Sequence, residues 1–272
     1  MHDYSSLSFW EKRYTNEHLE VFEWYQTFES LREKIIDYFK PEHKILNVGC
    51  GTSKFAEDLF YEGIKNVINI DFSESAIRLL EEHFEEQQIV SKCMKMDVLD
   101  MKEFKDEEFN IVFDKALLDS ILCGENALET VKIMIKEIYR VLVDEGYYII
   151  VSNSDESYRK DLFDEKMWEY QYMEIGKPTK IIVIDEKDKD PKNFHYIYIL
   201  KKKIDEEKRK AKLAEEAKKK EEEKVVKKHR KKKKGANRLF VYNFLFKEIF
   251  FFKLYNINFF LIKRYKNKFL YI

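Results

Sequence analysis

Glycine, proline and cysteine are scarce in this sequence: its 272 residues include only 7 Gly, 3 Pro and 3 Cys. So few turn-forming residues exclude a collagen-like chain, a proline-rich linker protein and a turn-dense all-β sandwich. The cysteines, Cys50, Cys93 and Cys123, are odd in number and lack the close pairing of a zinc site or a disulfide scaffold. We therefore expect reduced thiols in an intracellular protein and no metal centre.

The formal net charge of −1 conceals two oppositely charged regions. Residues 1–200 carry 25 Lys and Arg against 42 Asp and Glu, whereas residues 201–272 carry 25 against 9. An acidic body repels a phosphate backbone and favours a cationic partner, so we expect it to bind no nucleic acid. The basic tail favours nucleic acid, ribosomes or anionic lipid. The N-terminus shows no secretory signal, which favours a cytoplasmic location.

Short β-branched runs alternate with amphipathic helical stretches between Lys44 and Asp114, the pattern of βαβ units around a parallel sheet. The predicted strands cover 44–48, 66–71, a segment ending at 96–97, 109–114, 147–153 after a turn at Gly146, 169–175 and 194–202. The predicted helices cover 54–63, 73–86 and 127–142, and Ser73 begins the second. No helix separates the last two strands, so they are expected to pair antiparallel. The predicted fold is α/β: a Rossmann-like, seven-stranded, mostly parallel sheet with an antiparallel last strand and helices on both faces.

The chain beyond the predicted sheet has a different composition. Residues 204–234 run in blocks of Lys and Glu with pairs at helical spacing, which predicts a solvated helical extension. Its few apolar residues hold no heptad seam, so a coiled coil is the weaker interpretation. The basic run 227–234 suggests either nuclear import or polyanion binding, and the competing interpretation is a solvated low-complexity extension.

Residues 235–272 form an aromatic and basic tail. From Leu239 onward, 31 of 34 residues are Phe, Ile, Lys, Leu, Asn or Tyr, which share AT-rich codons. Our hypothesis is that this tail is read-through of non-coding sequence and lies outside the native protein; the alternative is a membrane-surface or partner-docking segment. Charges interrupt its apolar run, so we do not expect it to span a bilayer.

The segment ILNVGCGTS (45–53) is a buried strand that runs into a glycine turn and then a helix. Gly49 and Gly51 allow a ligand to approach the backbone, and the helix presents free N–H groups. Asp71 ends the second strand, where a carboxylate accepts both hydroxyls of a ribose. Asp97 and Val98 follow the third strand, where a side-chain acceptor, a backbone N–H and apolar packing would meet an adenine. The three strand ends together predict an adenosine site.

Two alternatives bear on this adenosine site. Asp71 alone also suits NAD, but the third glycine of a dinucleotide motif is missing and the sequence shows no pyrophosphate site, so S-adenosylmethionine fits better. In a purely structural interpretation, Asp71 caps a helix and Asp97 is a turn residue. Their coincidence at consecutive strand ends favours binding.

Several motifs are similar to those of a known family. They are FWEKRY (9–14), FEWY (22–25), ILNVGCGTS (45–53), NVINIDFS (66–73), MDV (96–98), FDKALLDS (113–120) and EIYRVLVDEGYYIIVS (137–152). Together they make residues 9–202 resemble the class I, seven-strand methyltransferases, and within them a eukaryotic methyltransferase-like group that includes lysine methyltransferases of elongation factor 1A. The family pattern reads DKGTLDA where this chain has DKALLDS, so Ala116 and Leu117 replace Gly and Thr, a departure that bears on substrate choice.

The resemblance implies roles for particular residues. Trp10, Tyr14 and Trp24 would close over the methionine end of S-adenosylmethionine, with Gly49 beneath it. Asp71 and Phe72 would hold the ribose, Asp97 and Val98 the adenine, and Lys115 would lie beside the cofactor. An aromatic lid suits a sulfonium because a ring face attracts a cation. The alternative is that Trp10 and Trp24 are ordinary core aromatics of an N-terminal helix.

The acceptor is the least constrained part of the prediction. Asp114, at the end of the fourth strand, is the candidate catalytic residue that would orient an acceptor amine; alternatively it pairs with Lys115 or caps the next turn. No NPPY or DPPY follows this strand, unlike in nucleic-acid and glutamine amide-nitrogen methyltransferases. The predicted function is methyl transfer from S-adenosylmethionine, leaving S-adenosylhomocysteine, to a lysine of a basic protein such as elongation factor 1A. The alternatives are a small-molecule methyltransferase and a non-catalytic cofactor-binding scaffold.

Composition and predicted elements together indicate three parts of the chain. Residues 1–203 are the predicted methyltransferase domain, in which 1–40 form an N-terminal lid with helices. Residues 204–234 are the predicted Lys/Glu helix and 235–272 the aromatic and basic tail.

Overall fold

The computed structural model describes residues 3–15, 22–178 and 193–204, most of 206–221, and residue 246. The chain divides into two units, Met1–Ile204 and Asp205–Ile272. In the second unit, the described residues between 206 and 221 are helical, and Glu215 lies 2.7 Å from Lys219 one turn on. The basic run 227–234 lies outside the described residues, as does the tail apart from Phe246.

The first unit alternates strands and helices along the chain. Its strands are β1 (Ile45–Val48), β2 (Val67–Asp71), β3 (Lys92–Lys95), β4 (Phe109–Lys115), β5 (Leu142–Ser152), β6 (Trp168–Gly176) and β7 (Phe194–Lys202). Its α-helices are α1 (Leu7–Tyr14), α2 (Phe28–Ile35), α3 (Phe55–Tyr61), α4 (Glu74–Glu86), α5 (Leu117–Ile121), α6 (Ala127–Val141) and α7 (Glu156–Arg159). None of the helices in the described part of the chain is both long and apolar enough to cross a bilayer.

The seven strands form one sheet in the order β3-β2-β1-β4-β5-β7-β6. Strands β1 to β5 pair in parallel, and β7 runs antiparallel to both of its neighbours, β5 and β6. The predicted fold class is therefore confirmed. Because β7 is inserted in the reverse direction, its first residues lie at the same sheet edge as the carboxyl ends of the other strands: Tyr196 pairs with Ser152.

Two hydrophobic cores cover the two faces of the sheet. Along β1, Leu46 and Val48 belong to the core that includes α6, whereas Ile45 belongs to the core that includes α2 and α3. Alternation of side chains along a strand produces this division, and burial on both faces explains why β1 and β2 are mostly apolar. Their exceptions, Asn47 and Asn69, hydrogen-bond to each other at 2.9 Å. All four residues of β1 are buried.

Strand β5 differs from its prediction. It begins at Leu142 rather than at 147, and the expected turn at Gly146 lies inside the strand. Leu142 pairs with Phe109, and the register shifts before Ile111, so the extra residues form an irregularity within the strand. Glu145 adopts a left-handed φ of 62° in this segment. A bulge accommodates one or more extra residues without ending the pairing, which a glycine signal in sequence does not reveal.

Candidate functional site

A cavity of about 410 Å³ lies at the carboxyl edge of the parallel strands. All nine residues that were predicted to bind the cofactor line it: Trp10, Tyr14, Trp24, Gly49, Asp71, Phe72, Asp97, Val98 and Lys115. They come from the N-terminal segment and from the ends of four strands. The fold therefore brings together residues up to about a hundred positions apart, as expected where parallel strands end at one crevice.

The glycine loop after β1 is held between the N-terminal segment and β2. Gly49 and Gly51 have left-handed φ values of 58° and 51°. A Cβ atom on Gly51 would lie 2.5 Å from the Tyr14 hydroxyl oxygen, and the Gly51 N–H donates to Asp71 Oδ2 at 2.9 Å. The loop thus approaches Tyr14 more closely than a residue with a side chain would allow.

Asp71 is buried, and each of its oxygens accepts one backbone hydrogen bond. Oδ2 accepts from Gly51, and Oδ1 accepts from the N–H of Ser73 at 2.9 Å. Burial raises the pKa of Asp71 to about 6, an increase that the Ser73 and Gly51 N–H groups oppose. A carboxylate has about four acceptor positions, so this one has capacity for two ribose hydroxyls. The helix cap is supplied by Ser73, whose hydroxyl accepts from Ala76, and not by Asp71.

The third strand end contributes one exposed and one buried residue. Asp97 is exposed and its Oδ1 accepts from the Leu99 N–H at 2.9 Å, while Val98 is buried. Asp97 therefore makes the turn contact of the structural alternative and also lines the cavity. This pairing of a carboxylate with an apolar side chain suits an adenine edge.

One wall of the cavity is an aromatic roof, which we define as Tyr4, Trp10, Tyr14, Phe22 and Trp24. The Trp10 ring stacks on Tyr14 with centroids 5.8 Å apart and meets Trp24 edge-on at the same distance. The Trp10 indole N–H donates to the Tyr4 carbonyl oxygen at 2.7 Å. Burial and the charge of Asp71 raise the pKa of the Tyr14 hydroxyl, which therefore stays protonated.

The roof is attached to the rest of the site by charged groups. The Arg13 guanidinium lies 5.0 Å from the Phe22 ring centroid, which joins α1 to the segment that follows it. Lys115 is ion-paired with Glu23, and its Nζ also donates to the Gln26 carbonyl oxygen at 3.1 Å. Sequence analysis did not single out Glu23; the signal would have been a charged residue inside the aromatic motif FEWY.

Asp114 does not occupy the catalytic position that was predicted for it. Its carboxylate is fully buried and accepts from the N–H groups of Leu117 and Leu118 at 2.8 and 3.2 Å and from the Tyr148 hydroxyl at 2.8 Å. It is not among the residues that line the cavity. The physical reason is strand alternation: Lys115 points toward the cavity, so Asp114 points into the core. Asp114 caps α5, which was the alternative interpretation.

The departures from the family pattern lie in the cavity wall. Ala116 has φ of 79° and ψ of −5°, a left-handed conformation that favours the family's glycine. Leu117 packs against the glycine loop, so closely that a Cβ on Gly49 would lie 2.9 Å from the Leu117 Cβ. Both residues line the cavity, where they make the wall more apolar than Gly and Thr would.

Asp119 is a second residue that sequence analysis missed. It accepts from the Tyr25 hydroxyl at 3.0 Å, from Ser152 Oγ at 2.7 Å and from the Arg159 guanidinium at 2.6 Å. It therefore joins α5 to the N-terminal segment, β5 and α7. Ser120, the next residue, lines the cavity.

Comparison with known proteins gives one family match and several similar proteins. A family described as "Methyltransferase domain" matches residues 46–150. The eEF1A lysine and N-terminal methyltransferases of Bos taurus and Homo sapiens are each 36% identical to this chain over 152 residues, 55% of this chain and 22% of theirs. EEF1A lysine methyltransferase 4 of Mus musculus is 26% identical over 167 residues, 57% of this chain and 64% of that protein. The matched region spans about a fifth of the length of the bovine and human relatives.

Solved structures share the fold at low identity. One, from work on converting a disulfide bond into a thioacetal group during echinomycin biosynthesis, has a TM-score of 0.55 and 16% identity, covering 78% of this chain and 99% of that one. The [4+2]-cyclase SpnF has a TM-score of 0.51 and 14% identity, covering 69% of this chain and 84% of that one. A cyclase on this fold shows that architecture alone does not define the reaction.

The sheet order, the glycine loop and the acidic residues at two strand ends are those of class I S-adenosylmethionine-dependent methyltransferases, and the methyltransferase-domain match over residues 46–150 makes the chain similar to that class. The residues fit the cofactor: Asp71 offers acceptors, Val98 and Phe72 offer apolar surface, and the loop at Gly51 leaves no room for a side chain. Within the class, the chain is similar to the eukaryotic group that includes the elongation factor 1A lysine methyltransferases.

Proposed function

We propose that this protein transfers a methyl group from S-adenosylmethionine to a lysine of a basic protein. The observation that carries the proposal is the convergence of the predicted adenosine residues and the aromatic roof on one cavity. The names of the bovine, human and murine relatives support a protein acceptor, with elongation factor 1A as the first substrate to test.

Each part of the cavity has its own binding role in the proposed reaction. Asp71 and Phe72 hold the ribose and Asp97 and Val98 hold the adenine, while the backbone of the glycine loop lies beneath the methionine end. When bound, S-adenosylmethionine supplies an electrophilic methyl group on a sulfonium. The aromatic roof faces that cation with ring surface and excludes water, which strengthens the electrostatic interactions inside.

Methyl transfer requires a neutral amine, and an unperturbed lysine has a pKa of about 10.4. The cavity wall includes the apolar side chains Leu7, Leu117 and Ile121. Desolvation by such surfaces disfavours the charged amine and lowers its pKa, so that its proton is lost to solvent before the nitrogen is methylated. In this proposal Asp114 does not act as the base, because its carboxylate is buried and accepts hydrogen bonds from the α5 backbone.

The acidic charge of the first 200 residues supports a basic acceptor. With 25 Lys and Arg against 42 Asp and Glu, this region attracts a cationic protein surface and repels a nucleic acid. Opposite charges of this kind raise the rate of encounter more than the final affinity.

Radiolabelled S-adenosylmethionine with purified elongation factor 1A, and in parallel with a cell extract, tests the proposal. We expect label in a protein band, mapped to lysine by mass spectrometry. Label only in the small-molecule fraction would indicate a different acceptor class. Absence of label in every fraction, despite measurable cofactor binding, would indicate a non-catalytic scaffold.

Asp71→Ala tests the ribose contact on which the proposed function depends. Losing the acceptor for two hydroxyls should cost roughly 1–3 kcal/mol, or about 5- to 150-fold in affinity. Isothermal calorimetry on the folded variant measures this directly. Unchanged affinity for S-adenosylmethionine would remove Asp71 from the ribose site.

A further inference from the structure

Glu23 contacts three separate parts of the cavity wall. It stands between Phe22 and Trp24, two members of the aromatic roof. Its carboxylate accepts from Ser53 Oγ at 3.0 and 3.1 Å, and it forms an ion pair with Lys115. One side chain thus connects the roof, the glycine loop and the end of β4.

Glu23 also contributes to the capping of helix α3, together with Ser53, whose Oγ accepts from the Phe55 N–H at 3.2 Å. Helix α3 begins after Lys54, whose side chain makes no capping hydrogen bond. The backbone N–H of Lys54 donates instead to Glu23 Oε1 at 2.6 Å. A carboxylate is favourable at this end of a helix because the free N–H groups carry partial positive charge. The glycine loop and α3 are therefore fixed to the N-terminal segment.

The ion pair between Glu23 and Lys115 is largely shielded from water, so its charges act more strongly on a ligand in the cavity. The side chains of Lys115 and Glu23 are 7% and 20% exposed. Burial lowers the pKa of Lys115, and the neighbouring Glu23 opposes that change. Lys115 lines the cavity. Without a counter-ion, its ammonium would place an uncompensated positive charge beside a ligand that is itself a cation.

We propose that Glu23 is a positioning residue that offsets the charge of Lys115 and so allows the cavity to accept a sulfonium. This inference rests on the proposed function and deepens it, because it assigns discrimination between the cationic donor and the neutral-sulfur product to one ion pair. Both ligands share the adenosine and the amino-acid carboxylate. Only their charge at sulfur differs, so the ratio of their affinities reports on the local electrostatics.

Calorimetry on the full chain measures this ratio. Glu23→Gln keeps an oxygen that can accept from Ser53 and Lys54 but removes the charge. We expect it to weaken S-adenosylmethionine binding at least about fivefold more than S-adenosylhomocysteine binding, since a unit charge several ångströms away in a partly buried site has an effect of this order. Lys115→Met should change the ratio in the opposite direction, and the double variant should return it to within about twofold of wild type.

Glu29→Gln is the matched control, since Glu29 is exposed and lies six residues further along the same segment. It should leave both affinities unchanged. Thermal unfolding of every variant separates loss of fold from loss of binding, and Lys115→Met keeps the test available if Glu23→Gln does not fold. Equal weakening of both ligands by Glu23→Gln, or an unchanged ratio in Lys115→Met, would overturn the inference. A wild-type protein that binds neither ligand would contradict the proposed function instead.

Discussion

Asp114 and Lys115 are adjacent at the end of β4, yet they lie in different environments. Asp114 points into the core, where it is hydrogen-bonded by Leu117, Leu118 and Tyr148, and Lys115 points toward the cavity. Burial raises the pKa of Asp114 to about 7, although the hydrogen bonds from Tyr148 and the α5 backbone oppose the increase. Asp114 therefore contributes to stability in a pH-dependent way.

The direction of that dependence follows from linkage. Between an unfolded pKa of about 3.9 and the folded value of about 7, the folded state holds the Asp114 proton that the unfolded state has released. The stabilisation is complete below the unfolded pKa and is lost as pH rises through the folded value. Asp114→Asn removes this titrating group. As pH rises from 5 to 8, the free energy of unfolding of the variant minus that of wild type should therefore increase by more than about 1 kcal/mol.

Urea unfolding at several pH values provides the measurement. Asp161→Asn, at an exposed position, is the control and should keep the wild-type pH profile. A constant difference between Asp114→Asn and wild type across this range would mean that the buried carboxyl is ionised throughout.

Ala116 stores backbone strain at the edge of the cavity. Its φ of 79° costs a residue with a Cβ about 1–2 kcal/mol, which glycine avoids. Against this, glycine loses more conformational entropy on folding, by about 0.4–1 kcal/mol. Ala116→Gly should therefore stabilise the protein by up to about 1 kcal/mol, measured by urea unfolding. Ala76→Gly, within α4, should be destabilising, and stabilisation by both variants would rule out the conformational explanation.

Some residues of the site were predictable from sequence because their signals are local. Gly49, Asp71 and Asp97 each lie at the carboxyl end of a predicted strand, and parallel strands bring such ends to one edge. Glu23 was not predictable in this way, since its partner Lys115 is 92 positions away. The error at Asp114 arose because the end of a strand, unlike its interior, does not reveal which of two neighbouring polar residues faces the ligand.

At the scale of elements, the N-terminal segment acts as a cover over the cavity. Ser5 packs so closely on Gly124, in the loop between α5 and α6, that a Cβ on Gly124 would lie 2.6 Å from the Ser5 Cβ and Oγ. Ser5 is held in place by hydrogen bonds from its N–H and hydroxyl to Asp3 Oδ1, at 3.2 and 2.6 Å. Both contact residues line the cavity, so this contact forms part of its wall.

Gly124→Ala should loosen that cover. The added methyl group displaces Ser5, so we expect weaker binding of S-adenosylmethionine and faster proteolysis within the first 25 residues, with little loss of overall stability. Ser5→Gly removes both atoms that clash. The double variant Ser5→Gly with Gly124→Ala should therefore recover affinity and protease resistance, and failure to recover would show that the methyl group acts on the α5–α6 loop itself.

The element pattern was predicted better than the element boundaries. Apolar and extended runs predicted all seven strands, and the signal is strongest in β1 and β2, where burial on both faces favours apolar residues. The start of β5 was misplaced because pairing of Leu142 with Phe109 depends on the register of a neighbouring strand. The register depends on both strands of a pair, so the sequence of one strand alone does not predict it.

At the scale of the whole molecule, the first unit is completed by its last described residues. Lys202 is buried, and its Nζ donates to the carbonyl oxygens of Tyr139 and Leu142 at 2.9 and 2.7 Å. The Lys203 N–H donates to the Met167 carbonyl oxygen at 2.9 Å. These contacts join the end of β7 to α6, to β5 and to the residue before β6. Residues up to Lys203 therefore belong to the folded unit.

A chain that ends at residue 204 should therefore fold and bind S-adenosylmethionine as the full chain does, because it retains every contact of β7 within the sheet. A chain that ends at residue 199 removes Lys202 together with its pairing to Trp168. It also removes the Lys202 donor from one buried and one partly buried carbonyl oxygen. Each unsatisfied group costs about 1–3 kcal/mol, a large part of the stability of a domain. Thermal unfolding and calorimetry of the two truncations compare these outcomes directly. If the chain that ends at residue 204 folds but does not bind the cofactor, the Lys/Glu extension takes part in binding. If the two truncated chains are equally stable, the sheet does not depend on the hydrogen bonds of Lys202.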